Sequence, residues 1–517
     1  MTKYFRMGSL TFVALALLMG AIIAPPKIVA VANAKEGGIE DAEPNMEPIA
    51  LNPSGKFLVQ FKKQESRPTH KILGEAGVSV SPVQLDALRG RIFNGTQADI
   101  TKREARSLRK SRAIKTVERI RAVSVQTVQT PSFQNQSTTS LWNLDRINQR
   151  QLPLDGTYNP FDDGATTDIY IVDSGVNNIP GQFEGRYGDS AYVPEVAANS
   201  YDCEGHGTHV AGTAASTSYG AAKGANIHSV RVLDCYGQGN TATILAGLNW
   251  VAENAQSPAI VNLSLGGPRS ELNNSAVKQL DQMGILTVAA SGNEAIDACD
   301  TSPGSAAESL TVSSSNQQDG VPVFSNVGPC VDLFAPGTDI TSLSLTGQPM
   351  QLSGTSMAAP SAAGVAAILW EANPSATPAQ IRQEIEGSAT EGALQFSGSQ
   401  ANSPNLLLYV DSQTPSLSVP SKVKKLKAKK VKKAKAKTIW KAPKSNGGTA
   451  VTKYETRIKK KGKDWKSWKG HKAKSGKDSY HKMWKKLKSG KKYSVQVRAK
   501  NAAGLGKSKK VSFKTKS

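Results

Sequence analysis

The hydrophobic pattern of this chain changes character twice. From residue 141 to 411, short unbroken apolar runs alternate with helix-compatible stretches. Asp168-Ile169-Tyr170-Ile171-Val172-Asp173 is such a run, and 227–233, 259–265, 285–290 and 310–313 repeat it. A strand that is apolar on both sides is buried on both faces, as in a parallel sheet. The stretches between the runs predict helices over 206–217, 241–255, 270–283 and 356–372. The predicted fold of this segment is α/β, a doubly wound, mostly parallel sheet with helices on both faces.

On either side the period shortens. Past residue 415, Ala436, Thr438 and Trp440 alternate with Lys435, Lys437 and Lys441, and Tyr493, Val495, Val497 and Ala499 alternate with Ser494, Gln496, Arg498 and Lys500. A period of two marks half-buried strands. With turn signals at Ser445-Asn446-Gly447-Gly448 and Lys488-Ser489-Gly490, it predicts a C-terminal all-β sandwich of about 100 residues. Before the sheet domain, 56–63 alternates as a strand, 99–112 is helix-compatible and 113–125 reads again as strand. This predicts a small α+β unit over 55–125. Residues 35–50 are acidic and expected to be disordered, and 127–140 is a polar linker.

Charge sharpens the division. The 517 residues carry 64 Lys and Arg against 41 Asp and Glu, a net +23. By segment the net is +3 over 1–34, +6 over 35–126, −19 over 127–414 and +33 over 415–517. A basic protein suggests a polyanionic partner, and the segment charges confine that reading to the last hundred residues. At the start, Lys3 and Arg6 precede an apolar run over 10–24, then Pro25-Pro26 and the small residues Ala32-Asn33-Ala34. This is the pattern of a secretory signal peptide over 1–34. The run is about 15 residues where a spanning helix needs about 20; a retained anchor is the competing reading, and no later segment could span a membrane. The other units are 35–126, 127–414 and 415–517.

Export makes the cysteines informative. Cys203, Cys235, Cys299 and Cys330 are an even set in one domain, which points to two disulfides with three connectivities open. No CxxC pair or His/Cys cluster suggests zinc.

Three motifs in the middle segment point to nucleophilic catalysis. Asp173 ends an apolar strand and so faces the crevice at the sheet's carboxyl edge. Gly205-His206-Gly207-Thr208-His209 starts a helix where glycines allow close backbone approach. Gly354-Thr355-Ser356 leads into another helix, whose N-terminal N–H groups and dipole suit an alkoxide or oxyanion. Pro360 is expected in the first turn of that helix, where it is tolerated. His209 reads as a packed structural histidine, His228 as a core or surface one, and Asn262 as a hydrogen-bonded core residue. An α/β-hydrolase esterase would need Gly-x-Ser-x-Gly and another residue order, and 354–358 reads Gly-Thr-Ser-Met-Ala.

With these motifs in the order Asp, His, Ser, residues 141–411 resemble the subtilases of the proteinase K and aqualysin type. Trp142-Asn143-Leu144-Asp145-Arg146-Ile147, Arg231-Val232-Leu233-Asp234-Cys235, Ser264-Leu265-Gly266-Gly267, Ala290-Ser291-Gly292-Asn293 and Phe334-Ala335-Pro336-Gly337 extend the resemblance. It implies Ser356 as nucleophile, His206 as general base and acid, Asp173 as its orienter, and Asn293 as an oxyanion donor. It implies that Gly237-Gln238-Gly239 and Ser264-Leu265-Gly266 pair with an extended peptide substrate. Ala290 and Gly292 would wall an apolar pocket for the residue before the cut. Ser174 stands where relatives carry Thr, and Ser361 where they often carry His. The resemblance further implies disulfides Cys203–Cys235 and Cys299–Cys330, and a structural calcium ion at Asp332 with the carbonyls of Ala307 and Ser309; the chemistry itself requires no cofactor.

Residues 55–125 resemble subtilase inhibitor propeptides, which implies a self-processing zymogen cut between Val125 and Ser140, with the propeptide as intramolecular inhibitor. Residues 419–515 resemble a fibronectin type III domain, whose charge would favour anionic cell-surface or extracellular polymers; Trp465, Trp468 and Trp484 fit core or surface roles better than stacking. The expectation is a secreted, extracellular serine endopeptidase. The alternative is a secreted adhesive protein on an inactive protease fold.

Overall fold

The computed structural model describes residues 32–34, 55–62, 66–78, 86–125, 141–412, 419–446, 451–473, 479–501 and 504–517. Most of 1–34 and the segments 35–50 and 127–140 lie outside them. So does part of the Gly447-Gly448 turn.

Between 141 and 412 the apolar runs become strands Asn226–Arg231, Asp168–Asp173, Ala259–Leu263, Ile285–Ala290, Ser309–Ser315 and Leu333–Pro336, in that spatial order and all parallel. Alternate residues of one strand feed different cores. Ile169 and Ile171 pack with the helices His206–Ala215, Thr355–Ala372 and Pro378–Ser388, while Tyr170 and Val172 pack with Thr241–Asn254 and Glu271–Met283. That is the two-sided cover predicted from strands without a polar face. The helix Pro378–Ser388 was not legible in the sequence. Its buried positions are Pro378, Ile381 and Ile385, too few to make a stripe.

The N-terminal unit is a four-stranded antiparallel sheet, Asp86–Arg89, Asn94–Asp99, Lys56–Phe61 and Ile114–Arg119, with helices Thr69–Glu75 and Lys102–Leu108. It leans on the helices Thr241–Asn254 and Glu271–Met283. Leu88, Ile92, Phe93 and Val123 join their core, Asn249 Oδ1 accepts the Phe93 N–H at 3.1 Å, and Glu118 Oε2 accepts the Leu272 N–H at 3.3 Å. The sheet faces the acidic domain with a net positive unit, so charge and packing agree.

The C-terminal unit is all-β, with two antiparallel sheets over a core of Val423, Trp440, Tyr454, Tyr493, Val495, Val497 and Phe513. Trp484 is buried and donates to Thr438 Oγ1 at 3.0 Å, so it belongs to the core. Ala32–Ala34 pairs with Ser190–Tyr192 at the edge of the main sheet, so cleavage after Ala34 would take a strand from that edge.

Candidate active site

Asp173 ends its strand fully buried, and its Oδ1 accepts the N–H of Ser174 at 2.7 Å. His206 opens the next helix. Gly205 takes φ +107°, a left-handed entry that a side chain would strain. Gly207 is needed for the approach: a Cβ there would stand 2.0 Å from the Gly175 carbonyl oxygen. Nδ1 of His206 then lies 2.7 Å from Asp173 Oδ1. Burial works against the imidazolium, but Asp173 and the nearby Glu204 and Asp202 outweigh it and raise the His206 pKa above its ordinary 6.5. Nε2 is buried and has no partner among the described residues.

A second carboxylate holds this corner. Asp202 accepts the Ser174 hydroxyl at 2.9 Å, the Gly205 N–H at 2.8 Å and both the N–H and hydroxyl of Thr208. Ser174 in turn accepts the Gly207 N–H at 3.0 Å. Glu204 Oε2 accepts the His206 N–H at 2.7 Å. His209, one turn on, is fully buried against the carbonyls of Ile340 and Met350, and burial pushes its pKa down to about 3.

Ser356 is the second residue of the helix Thr355–Ala372 and is buried. Its hydroxyl donates to the Ser264 carbonyl at 2.9 Å. Asn293 Oδ1 accepts the N–H and the hydroxyl of Thr355 at 3.0 and 2.9 Å, which turns the amide nitrogen away from Thr355. The Thr355 hydroxyl also accepts the Gly292 N–H at 3.2 Å, and Gly292 takes φ +110°. Ala290 closes the strand Ile285–Ala290, buried beside this turn. One expectation is corrected. Pro360 is the sixth residue of its helix, past the first turn. There it removes the N–H that would bond the Ser356 carbonyl, and the Ser264 hydroxyl donates to that carbonyl instead, at 2.8 Å.

Beside these groups run two short strands, Gln238–Asn240 and Leu265–Pro268, and between them lies Ala122–Val125 of the N-terminal unit. Gln238 faces Ser124 and Gly239 faces Val123. Leu265 faces Val125 and Gly266 faces Ser124. The Val125 N–H donates to the carbonyl of Gly237, which takes φ +69°.

Cys203 is bonded to Cys235 and Cys299 to Cys330, across separations of 32 and 31 residues. Closing loops of that length contributes about 3–4 kcal/mol each in the chain-entropy account. Asp332 is half-buried and accepts the Thr311 N–H at 2.8 Å; burial pushes its pKa up to about 6. The Arg382 cation pulls that pKa back down. Ala307 is exposed and Ser309 buried nearby in sequence. The carboxylates close enough to share a metal among the described residues are elsewhere, at Asp162, Asp163 and Glu371.

The pattern of known families decides the lineage. The profile of the Subtilase family matches residues 162–408, and that of the fibronectin type III domain matches 421–515. The extracellular serine proteinase of Thermus sp. is 40% identical over 341 residues, which cover 66% of this chain and 80% of that protein. This chain belongs to the subtilase family. Other relatives of this subtilase agree. The alkaline serine exoprotease A of Vibrio alginolyticus is 39% identical over 327 residues, 63% of this chain and 60% of its own length. The cuticle-degrading protease of Metarhizium anisopliae is 33% identical over 362 residues, 68% of this chain and 89% of its own. A crystal structure of a cold adapted subtilisin-like serine proteinase is 44% identical and superposes with a TM-score of 0.51, covering 53% of this subtilase and 99% of that chain. Among the described residues, no helix is long and apolar enough to cross a membrane.

Proposed function

We propose that this subtilase is a secreted serine endopeptidase, made as a zymogen that cuts itself, and that Asp173, His206 and Ser356 carry the reaction. The observation that supports it best is the 2.7 Å bond from His206 Nδ1 to Asp173 with Nε2 left to face a reactant. Ser356 Oγ attacks the peptide carbonyl while His206 Nε2 takes its proton. Asp173 holds the Nδ1–H tautomer and stabilises the imidazolium. The tetrahedral oxyanion is received by the Ser356 N–H and the Asn293 amide; losing one such donor costs about 10²–10³ in kcat. His206 then protonates the leaving amine, and water completes the cycle by the same steps in reverse.

The substrate is an extended peptide that adds a strand between 237–239 and 264–266. The reading takes the segment Ala122–Val125 as an internal copy of such a strand, and hence 35–126 as an inhibitory propeptide. Ala290 and Gly292 favour an apolar residue before the cut. A calcium ion held by Asp332 and the carbonyls of Ala307 and Ser309 would brace the loop and take no part in the reaction; a chelator should then lower the melting temperature and leave kcat of the surviving fold unchanged.

The basic domain is read as an anchor to anionic polymers. Lys492 faces Lys514 across its sheet, and Lys453 faces both Lys472 and Lys500, its own ammonium paired with Glu455 at 3.1 Å. Like charges directly opposite repel, and a polyanion would relieve them. Arg457 already covers Trp465 and Trp468 at 4.9 and 4.3 Å, and Arg498 covers Trp468 at 4.0 Å, so the reading is electrostatic rather than one of stacking. Binding that persists at 1 M salt would contradict it.

The deciding experiment compares full-length protein with Ser356→Ala. The parent should shed its N-terminal segment and then digest casein. If the variant does so equally, the assignment fails; if both stay intact and inert, the adhesive reading takes its place.

A further inference from the structure

We infer that Glu204 makes this protease select a cationic side chain at the second residue before the cut. The inference rests on the protease reading above and adds a substrate preference to it.

Register defines the position. Val125 faces Leu265 in an antiparallel pair. A substrate strand in the same register brings its next residue opposite Ser264, whose carbonyl holds the Ser356 hydroxyl at 2.9 Å. The bond open to attack therefore follows that next residue, and Val125 marks the one before it. The Val125 N–H to Gly237 carbonyl bond, 3.0 Å, fixes the strand from its other side.

At this position the groove is floored by a bare glycine and edged by a carboxylate. A Cβ on Gly237 would stand 2.9 Å from Val125 Cγ2 and 3.6 Å from Glu204 Oε1. The tip of the Val125 side chain and Glu204 Oε1 thus border one small space, which glycine leaves open. A Lys or Arg in place of Val125 is long enough to bring its cation to that oxygen. Glu204 is held by its far end: Oε2 accepts the His206 N–H at 2.7 Å, so Oε1 stays turned to the groove without being swept away.

The charge balance runs the same way. The groups that bear on Glu204 are His206, Asp173 and Asp202, and no Lys or Arg is among them. Burial raises the Glu204 pKa, and the two aspartates raise it further against the pull of His206. An incoming cation would answer all three carboxylates at once. The chain's own tail offers an uncharged Val125 here; a tail that binds without this pair leaves more readily once cut.

The test uses three peptide anilides, Ala-Ala-Xaa-Phe with Xaa as Arg, Val or Glu, and the protein expressed from the full-length chain, after self-processing. The Arg peptide should exceed the Val peptide about tenfold in kcat/KM, and the Glu peptide should fall below Val. In Glu204→Gln, whose amide oxygen can still accept the His206 N–H, the Arg-to-Val ratio should drop to about one. Equal rates in the wild type, or an unchanged ratio in the variant, overturn the inference alone. No cleavage of any peptide overturns the protease reading and this inference with it. Should the variant fold poorly, the wild-type ratios decide.

Discussion

Ser264 and Ser356 are tied by two reciprocal hydrogen bonds: each hydroxyl donates to the other residue's carbonyl, at 2.8 and 2.9 Å. One bond replaces what Pro360 withholds from its own helix. Asn262 Nδ2 donates to Ser264 Oγ at 2.9 Å and so aims that hydroxyl. A core asparagine, a serine on the groove strand and the proposed nucleophile form one line.

Ser264→Ala should therefore leave the buried Ser356 carbonyl unsatisfied and destabilise the fold by about 1–3 kcal/mol. It should also lower kcat more than it raises KM. Pro360→Ala restores a helical donor, so the double variant should recover part of that loss. A double-mutant cycle by thermal melts measures the coupling; simple additivity would break the link between the three residues.

The acid limb of activity should lie above pH 6.5. The proposed mechanism needs neutral His206, and its raised pKa keeps it protonated to higher pH. Asp173→Asn removes the main charge that raises it. The limb should move down and kcat should fall by about 10⁴, which a kcat/KM profile over pH 5–9 resolves.

Self-cleavage should fall between Gln126 and Thr127. The register that sets Val125 against Leu265 sends the bond after the next residue to Ser356. N-terminal sequencing of the processed protein should read Thr127 first. A start elsewhere in 128–140 would mean a different register or a second cut.

The C-terminal domain should loosen from its neighbour as pH rises. Burial pushes Glu384 up to about 7, with the neighbouring Asn446 side chain pulling the other way. Its unfolded value is near 4.5, so the stability it contributes is complete below that and is lost as pH rises through 7. Glu384→Gln should change little at pH 4 and gain up to about 3 kcal/mol at pH 9, read from melting curves at both pH values.

Much of this was legible in the sequence. Asp173, His206 and Ser356 sit at element ends, and an end is marked by where an apolar run stops and glycines begin. The strands 168–173 and 285–290 were readable because burial on both faces leaves almost no polar residue inside them, Thr287 being the exception in the second. The helix at 378–388 was not, since two isoleucines one turn apart carry no visible period. Glu204 and Ser264 were missed as side-chain contributors for another reason. Both act through one atom placed by tertiary contact, Glu204 beside Gly237 and Ser264 against a helix broken by Pro360, and no local pattern encodes that. Pro360 itself was misplaced because the first turn is where proline is ordinarily tolerated, whereas here a neighbour supplies the missing donor.

The tail strand Ala122–Val125 completes a four-stranded sheet with Gln238–Asn240, Leu265–Pro268 and Thr301–Ser302. Were it released, the cleft would be two raw sheet edges, and edges bind main chain. Such a cleft grips only a polypeptide that can surrender its own backbone hydrogen bonds over several consecutive residues. Folded proteins would be consumed at a rate set by how often their segments come undone, so this protease would gauge the local softness of its targets before it reads any side chain.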